Sequence, residues 1–203
     1  MSEEKRPNFP DKYHLSRKES GYLLKKNIVE LVYNAGKFEG LNTTLLQTEE
    51  IIKYNRTNNV ALDDVLTIVN LKRGFEMLLN DAQKPLLEKS KRFNRVIAAE
   101  IGDQYDNLMD QNISETEKAL RFFLLITKNQ IYGEDNQRTA LLSANRIMIR
   151  NGTGLLSIPE SLFEEFNKRL SMYYNSRQTI AELEISAFMY DYCIFGINYS
   201  QKI

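Results

Sequence analysis

The segment Ala119-Leu120-Arg121-Phe122-Phe123-Leu124-Leu125-Ile126 constrains the fold more than any other stretch. Wound as a helix it is apolar on nearly all sides, and such a helix is stable only when other elements enclose it. Just upstream, Ser114-Glu115-Thr116-Glu117 places Glu three residues after Ser, the spacing of a reciprocal helix cap. Downstream, Leu141-Leu142 through Ile147-Met148-Ile149 forms a second apolar run at helical spacing. The pattern predicts a central buried helix pair joined by a polar loop over 130–140. That loop opens the second helix. The first N–H groups of a helix lack internal partners and carry partial positive charge, so the loop is placed to hold an anion.

The rest of the chain reads as helices that could surround this pair. The spacing predicts a helix capped by Ser20, running to about Ala35 and stopping near Gly36. A second covers 45–54, capped by Asn42 or Thr43. A third is opened by Asp63 and Asp64 and ends near Asn80. A fourth starts at Pro85 and is stopped by Gly102, leaving 103–112 irregular. After the central pair comes an extended link over 155–158, a helix over 160–174 begun by Pro159, and a last helix over 179–195. Strand signals are nearly absent, so the class is all-α, with about eight helices. A length of 203 residues, 42% of them hydrophobic, fits one domain over 19–203 preceded by a loose or extended arm over 1–18.

Lys and Arg total 27 and so do Asp and Glu, giving a net charge of +0. There is no global electrostatic case for nucleic acid, and only local basic patches remain open. His14 is the only histidine and Cys193 the only cysteine. A Ser-His-Asp triad, a multi-histidine metal site and an internal disulfide are therefore hard to build, and Cys193 reads as a small buried hydrophobe. The first residues lack the apolar stretch of a signal peptide, and no run approaches the ~18 apolar residues that span a bilayer. The expectation is a cytoplasmic protein with no membrane segment.

The loop Gln130-Ile131-Tyr132-Gly133-Glu134-Asp135-Asn136-Gln137-Arg138 resembles the signature of the Fic (Fic/Doc, or Fido) family, His-Pro-Phe-x-Asp/Glu-Gly-Asn-Gly-Arg-x-x-Arg. Glu134, Asn136 and Arg138 match. Tyr132 is a near match. Gln130 stands at the His, Asp135 and Gln137 at the two Gly, and Leu141 at the last Arg. Tyr33-Asn34-Ala35-Gly36-Lys37-Phe38-Glu39-Gly40 resembles the family's inhibitory motif, Ser/Thr-x-x-x-Glu-Gly/Asn, and matches it at Glu39 and Gly40. The family's β-hairpin flap would fall on 102–108, which looks short for it.

The resemblance implies a Fic-type bundle and the family's activity, transfer of AMP from ATP to a protein hydroxyl. It also implies ATP and Mg²⁺ as ligands, with Glu134 for the metal, Asn136 and Arg138 for phosphate, and Glu39 with Gly40 as a regulatory element. Gln130 has no titratable group, so it orients a hydroxyl but does not take its proton. The expected function is a regulatory or anion/nucleotide-binding module impaired in AMP transfer, with a protein target or regulator as partner. Two alternatives stand beside it. One is an active divergent nucleotidyl- or phosphoryl-type transferase; the other is a ligand-free interaction partner in a toxin–antitoxin or stress system. Leu141 also deprives Glu39 of the family's arginine, and Arg138 and Arg146 are the substitutes, unranked by sequence.

Overall fold

Nine α-helices, one 3-10 turn (Glu160–Leu162) and one short strand pair are the regular elements of the described residues of the computed structural model, which are 8–79, 95–129, 136–176 and 179–197. In chain order the helices are α1 (Arg17–Lys26), α2 (Ile28–Phe38), α3 (Leu45–Tyr54), α4 (Leu62–Met77), α5 (Arg95–Met109), α6 (Glu115–Asn129), α7 (Asn136–Asn151), α8 (Phe163–Asn175) and α9 (Thr179–Cys193). Strand β1 (Leu155–Leu156) pairs antiparallel with β2 (Ile194–Phe195), in the register Leu155↔Phe195 and Leu156↔Ile194. The class is all-α, as expected. No helix among the described residues is long and apolar enough to cross a membrane.

Helices α6 and α7 form the central pair. Hydrogen bonds at both ends fix them antiparallel. Asn136 Nδ2 at the start of α7 donates to the Thr127 carbonyl near the end of α6, at 3.2 Å. Asn151 Nδ2 at the end of α7 donates to Glu115 at the start of α6, at 2.9 Å. Leu120, Phe123, Leu124, Ile126, Ala140, Ala144 and Met148 are fully enclosed between them and their neighbours. Burying side chains of this size contributes roughly 1.5–3 kcal/mol each, which makes the pair the main source of stability. Helix α2 packs on α3 and α4, and α9 packs on α6 and α8. Asn145, fully buried in α7, holds β1 through two bonds with Leu156: its Nδ2 donates to the carbonyl at 2.8 Å, and its Oδ1 accepts from the N–H at 2.9 Å.

Several boundaries differ from expectation. The first helix is two helices, broken at Asn27. Its cap is Ser16, which forms a capping box with Glu19, while Ser20 is buried inside α1. Helix α2 continues past Gly36 to Phe38. Thr44, with Gln47, caps α3 in place of Asn42 or Thr43. Helix α4 ends at Met77, short of Asn80. Helix α5 runs through Gly102 to Met109, so the segment expected to be irregular and to stand where a hairpin flap would lie is helical. A helix tolerates one interior glycine at a cost of about 1 kcal/mol, and Tyr105 offsets it by packing on Phe122 with ring centroids 4.8 Å apart. The predicted helix start at Pro85 lies outside the described residues. Ser114 caps α6 as predicted, accepting from the Glu117 N–H at 2.9 Å.

Residues 8–16, expected as part of a loose or extended arm, run extended along the body and are held there. Phe9 and Leu15 are buried. The Asp11 carboxylate accepts from the Thr116 N–H at 2.8 Å, and the Leu15 N–H donates to the Gly152 carbonyl at 2.8 Å. Ser114 donates to the Phe9 carbonyl, and Lys12 lies over the Tyr190 ring. Gly152 is what permits this docking. It has φ +70°, and a Cβ there would lie 2.0 Å from the Leu15 carbonyl oxygen. A Gly152→Ala protein should therefore lose about 2–4 kcal/mol in urea unfolding, from backbone strain and overpacking together. A loss under about half a kcal/mol would mean that the docking does not depend on this glycine.

Candidate functional site

The site is assembled by the C-terminal end of α2 and the N-terminal turn of α7. Helix α2 ends in a complete Schellman arrangement: the Leu41 N–H donates to Gly36 O at 2.9 Å and the Gly40 N–H to Lys37 O at 3.0 Å. The pattern requires a left-handed residue after the cap, and Gly40 supplies it at φ +83°. The residue just before it, Glu39, is thereby fixed as the cap, with its side chain leaving the helix at a defined angle.

Three sets of contacts hold this end of α2 on the body. The Phe38 ring lies 6.3 Å from Phe123 of α6 and 5.5 Å from Phe166 of α8, the latter edge-on. Asn34 Nδ2 donates to Ser157 Oγ at 3.1 Å in a buried contact. Glu160 accepts from the Tyr33 hydroxyl and pairs with Lys37 at 3.5 Å. The hydrogen bond to Glu160 pushes the Tyr33 hydroxyl up to about 12. Tyr33, Asn34, Lys37 and Phe38 lie within the motif quoted from sequence, but none was given a positioning role there. Phe38 could have been, because it continues the apolar stripe of Leu31 and Ala35 at helical spacing.

So held, the Glu39 carboxylate meets the start of α7. There the charge of the Arg138 guanidinium and the dipole of the Arg138 backbone N–H both favour its ionised form. Of the two substitutes left unranked by sequence, Arg138 is the one whose charge acts on Glu39. The contact has a cost. Burial raises the Glu39 pKa, the Arg138 charge and N–H offset this only in part, and Oε1 is buried without a partner among the described residues.

The remaining site residues are distributed as follows. Asn136 opens α7, is buried, and spends an amide N–H on Thr127, so it ties the site to α6. The Thr127 hydroxyl donates in turn to the Leu124 carbonyl at 3.0 Å. Leu141, where the family has its last arginine, is buried in the core and belongs to the packing. Gln130, Glu134, Tyr132 and Asp135 lie outside the described residues. Cys193 is buried, and burial pushes its thiol up to about 12, in keeping with a packing role. No group of three potential metal ligands occurs among the described residues.

Two measurements check this geometry. Gly40→Ala should cost about 1–2 kcal/mol in urea unfolding, because alanine is strained at that φ. A Gly40→Asn protein should keep more of the stability. The second test follows the Glu39 charge. A carboxyl whose folded pKa is raised stabilises the fold most below the ordinary value of 4.5, and that contribution is lost as pH rises through the raised pKa. The stability of wild type relative to Glu39→Gln should thus fall between pH below 4.5 and neutral pH, and a flat difference would place the carboxylate in water.

No protein-family profile and no curated protein matches the sequence. Among solved structures the chain is similar to Fic-1 (residues 134–508) from C. elegans, with a TM-score of 0.65 and 16% sequence identity. The similarity covers 86% of this chain but 65% of that one, so this chain spans less than two thirds of its neighbour. The antiparallel α6–α7 pair, the enclosing helices and this likeness agree that the chain has the fold of a Fic domain.

Proposed function

We propose that this chain is a Fic-fold anion-binding module whose phosphate site is plugged by its own Glu39 and whose capacity for AMP transfer is impaired. One observation supports the reading: a carboxylate already lies in the favourable field of the Arg138 guanidinium and its first-turn N–H. A position that accepts one anionic oxygen at a helix N-terminus suits another, and a phosphate brings more charge and more acceptor oxygens than a carboxylate. The plug is also displaceable, because the desolvation of Glu39 is only partly offset. Arg138 is the residue that would bind phosphate. Asn136 would set the position of the helix start as well as take part in binding. Glu134 is the residue the Fic resemblance would give to Mg²⁺, which supplies charge shielding when bound.

Impairment follows from Gln130. AMP transfer to a hydroxyl needs a group that takes the proton, and an amide side chain has no pKa near neutrality. Leu141 adds to the loss, since a buried leucine supplies no cation to a terminal phosphate. The module would then bind a nucleotide or a related phosphate compound without efficient turnover, and would act by occupancy on a protein partner.

Calorimetric titration with ATP and Mg²⁺ tests the plug. Glu39→Gly should bind at least about tenfold tighter than wild type, a difference of about 1.4 kcal/mol. Equal affinities would show that Glu39 does not compete, and no binding by either protein would remove the nucleotide from the account. In the Glu39→Gly background, Gln130→His should raise labelling of protein by tagged ATP by roughly 10²–10⁴-fold.

A further inference from the structure

A second site lies at the other end of α7. There α1, the residues just after α4 and the last turn of α7 enclose a groove of about 470 Å³. Lys18, Tyr22 and Lys25 face it from α1 at helical spacing, Arg150 closes it from α7, and Leu78 and Leu79 supply apolar surface. Arg138 and Arg150 sit on one helix, separated by a rise of roughly 18 Å at 1.5 Å per residue, so this groove is not the anion site of Glu39.

The charges that line the groove are of one sign. The chain is neutral overall, and many of its cations are paired: Lys37 with Glu160, Lys53 with Glu49, Lys118 with Glu115, Arg121 with Glu117, Arg169 with Glu165. Lys18, Lys25 and Arg150 make no ion pair among the described residues, and the groove lining contains no carboxylate among them. Helix dipoles account for part of this, since Lys25 and Arg150 lie in last turns. They do not account for Lys18, which lies in the first turn of α1, where the dipole disfavours a cation. Tyr22 stands among these charges with 60% of its surface exposed.

We propose that this groove binds a nucleotide unit, with the base stacked on Tyr22 and over Leu78 and Leu79 and the phosphates on Lys18, Lys25 and Arg150. A concave site of this volume is of a size that takes a compact ligand. Cations flanking an exposed aromatic ring are the arrangement that holds nucleotides without sequence preference, the ring taking the base and the cations the backbone. The unit is either free or part of a single-stranded nucleic acid.

Fluorescence anisotropy of a short labelled oligothymidylate at low salt tests the groove. Wild type should bind it saturably. Lys25→Glu with Arg150→Glu should weaken binding by at least about tenfold, because two phosphate contacts become repulsions. Tyr22→Ala should weaken it about fivefold or more through lost stacking. Lys53→Glu with Lys168→Glu, an equal charge change elsewhere on the surface, should have much less effect. Arg138→Ala should leave oligothymidylate binding intact, which keeps this outcome separate from that of the nucleotide site at Glu39. Competition resolves the source. Displacement by thymidine monophosphate at matched nucleotide concentration assigns free nucleotides, and displacement by unlabelled strand alone assigns single-stranded nucleic acid; both uphold the groove. Absence of saturable binding overturns the proposal. So does a groove double variant no weaker than the control pair. So does a Tyr22→Ala protein of unchanged affinity from which poly-glutamate displaces the strand as well as unlabelled oligothymidylate does.

Discussion

Everything in this fold is referred to the antiparallel packing of α6 against α7. The two helices bury an almost continuous apolar seam, from Leu120 and Phe123 on one to Ala144 and Met148 on the other. A seam of that kind cannot exist in isolation, so the remaining helices are needed to enclose it. The polar groups that mark its ends, Asn136 on Thr127 and Asn151 on Glu115, fix the offset between the helices. That offset decides where the first turn of α7 faces. The proposed anion site is thus a by-product of core packing.

Against this fixed frame α2 delivers a carboxylate. The Phe38 cluster, the Asn34–Ser157 bond and the Glu160 contacts anchor its last turns, and Gly40 ends it at one residue. Glu39 is therefore held by apolar burial and capping geometry, while its own electrostatics oppose its position. The two terms come from different parts of the molecule. A ligand that displaces Glu39 relieves the desolvation without disturbing the core.

Much of this was legible in the sequence, for stated reasons. The burial of 119–126, the Ser114 cap, the short link at 155–158 and the all-α class follow from periodicity and cap chemistry, which act over a few residues. The break at Asn27 did not show, because the apolar stripe of Leu23, Leu24, Ile28 and Leu31 runs across it. Gly102 misled because one glycine in a helix costs less than the packing beyond it returns. The partner of Glu39 could not be ranked, since Arg138 and Arg146 differ in helix position and not in chemistry; the helix start favours Arg138. The basic groove was hidden because its residues come from three separated segments of a neutral chain.

The central claim is that the first turn of α7 is an anion site held closed by Glu39. The most direct measurement follows the Arg138 backbone amide by nuclear magnetic resonance during titration with ATP and Mg²⁺, in wild type and in Glu39→Gly. The account predicts a large shift of that amide at lower nucleotide concentration in Glu39→Gly than in wild type. An Arg138 amide that stays in place in both proteins at saturating nucleotide would contradict it.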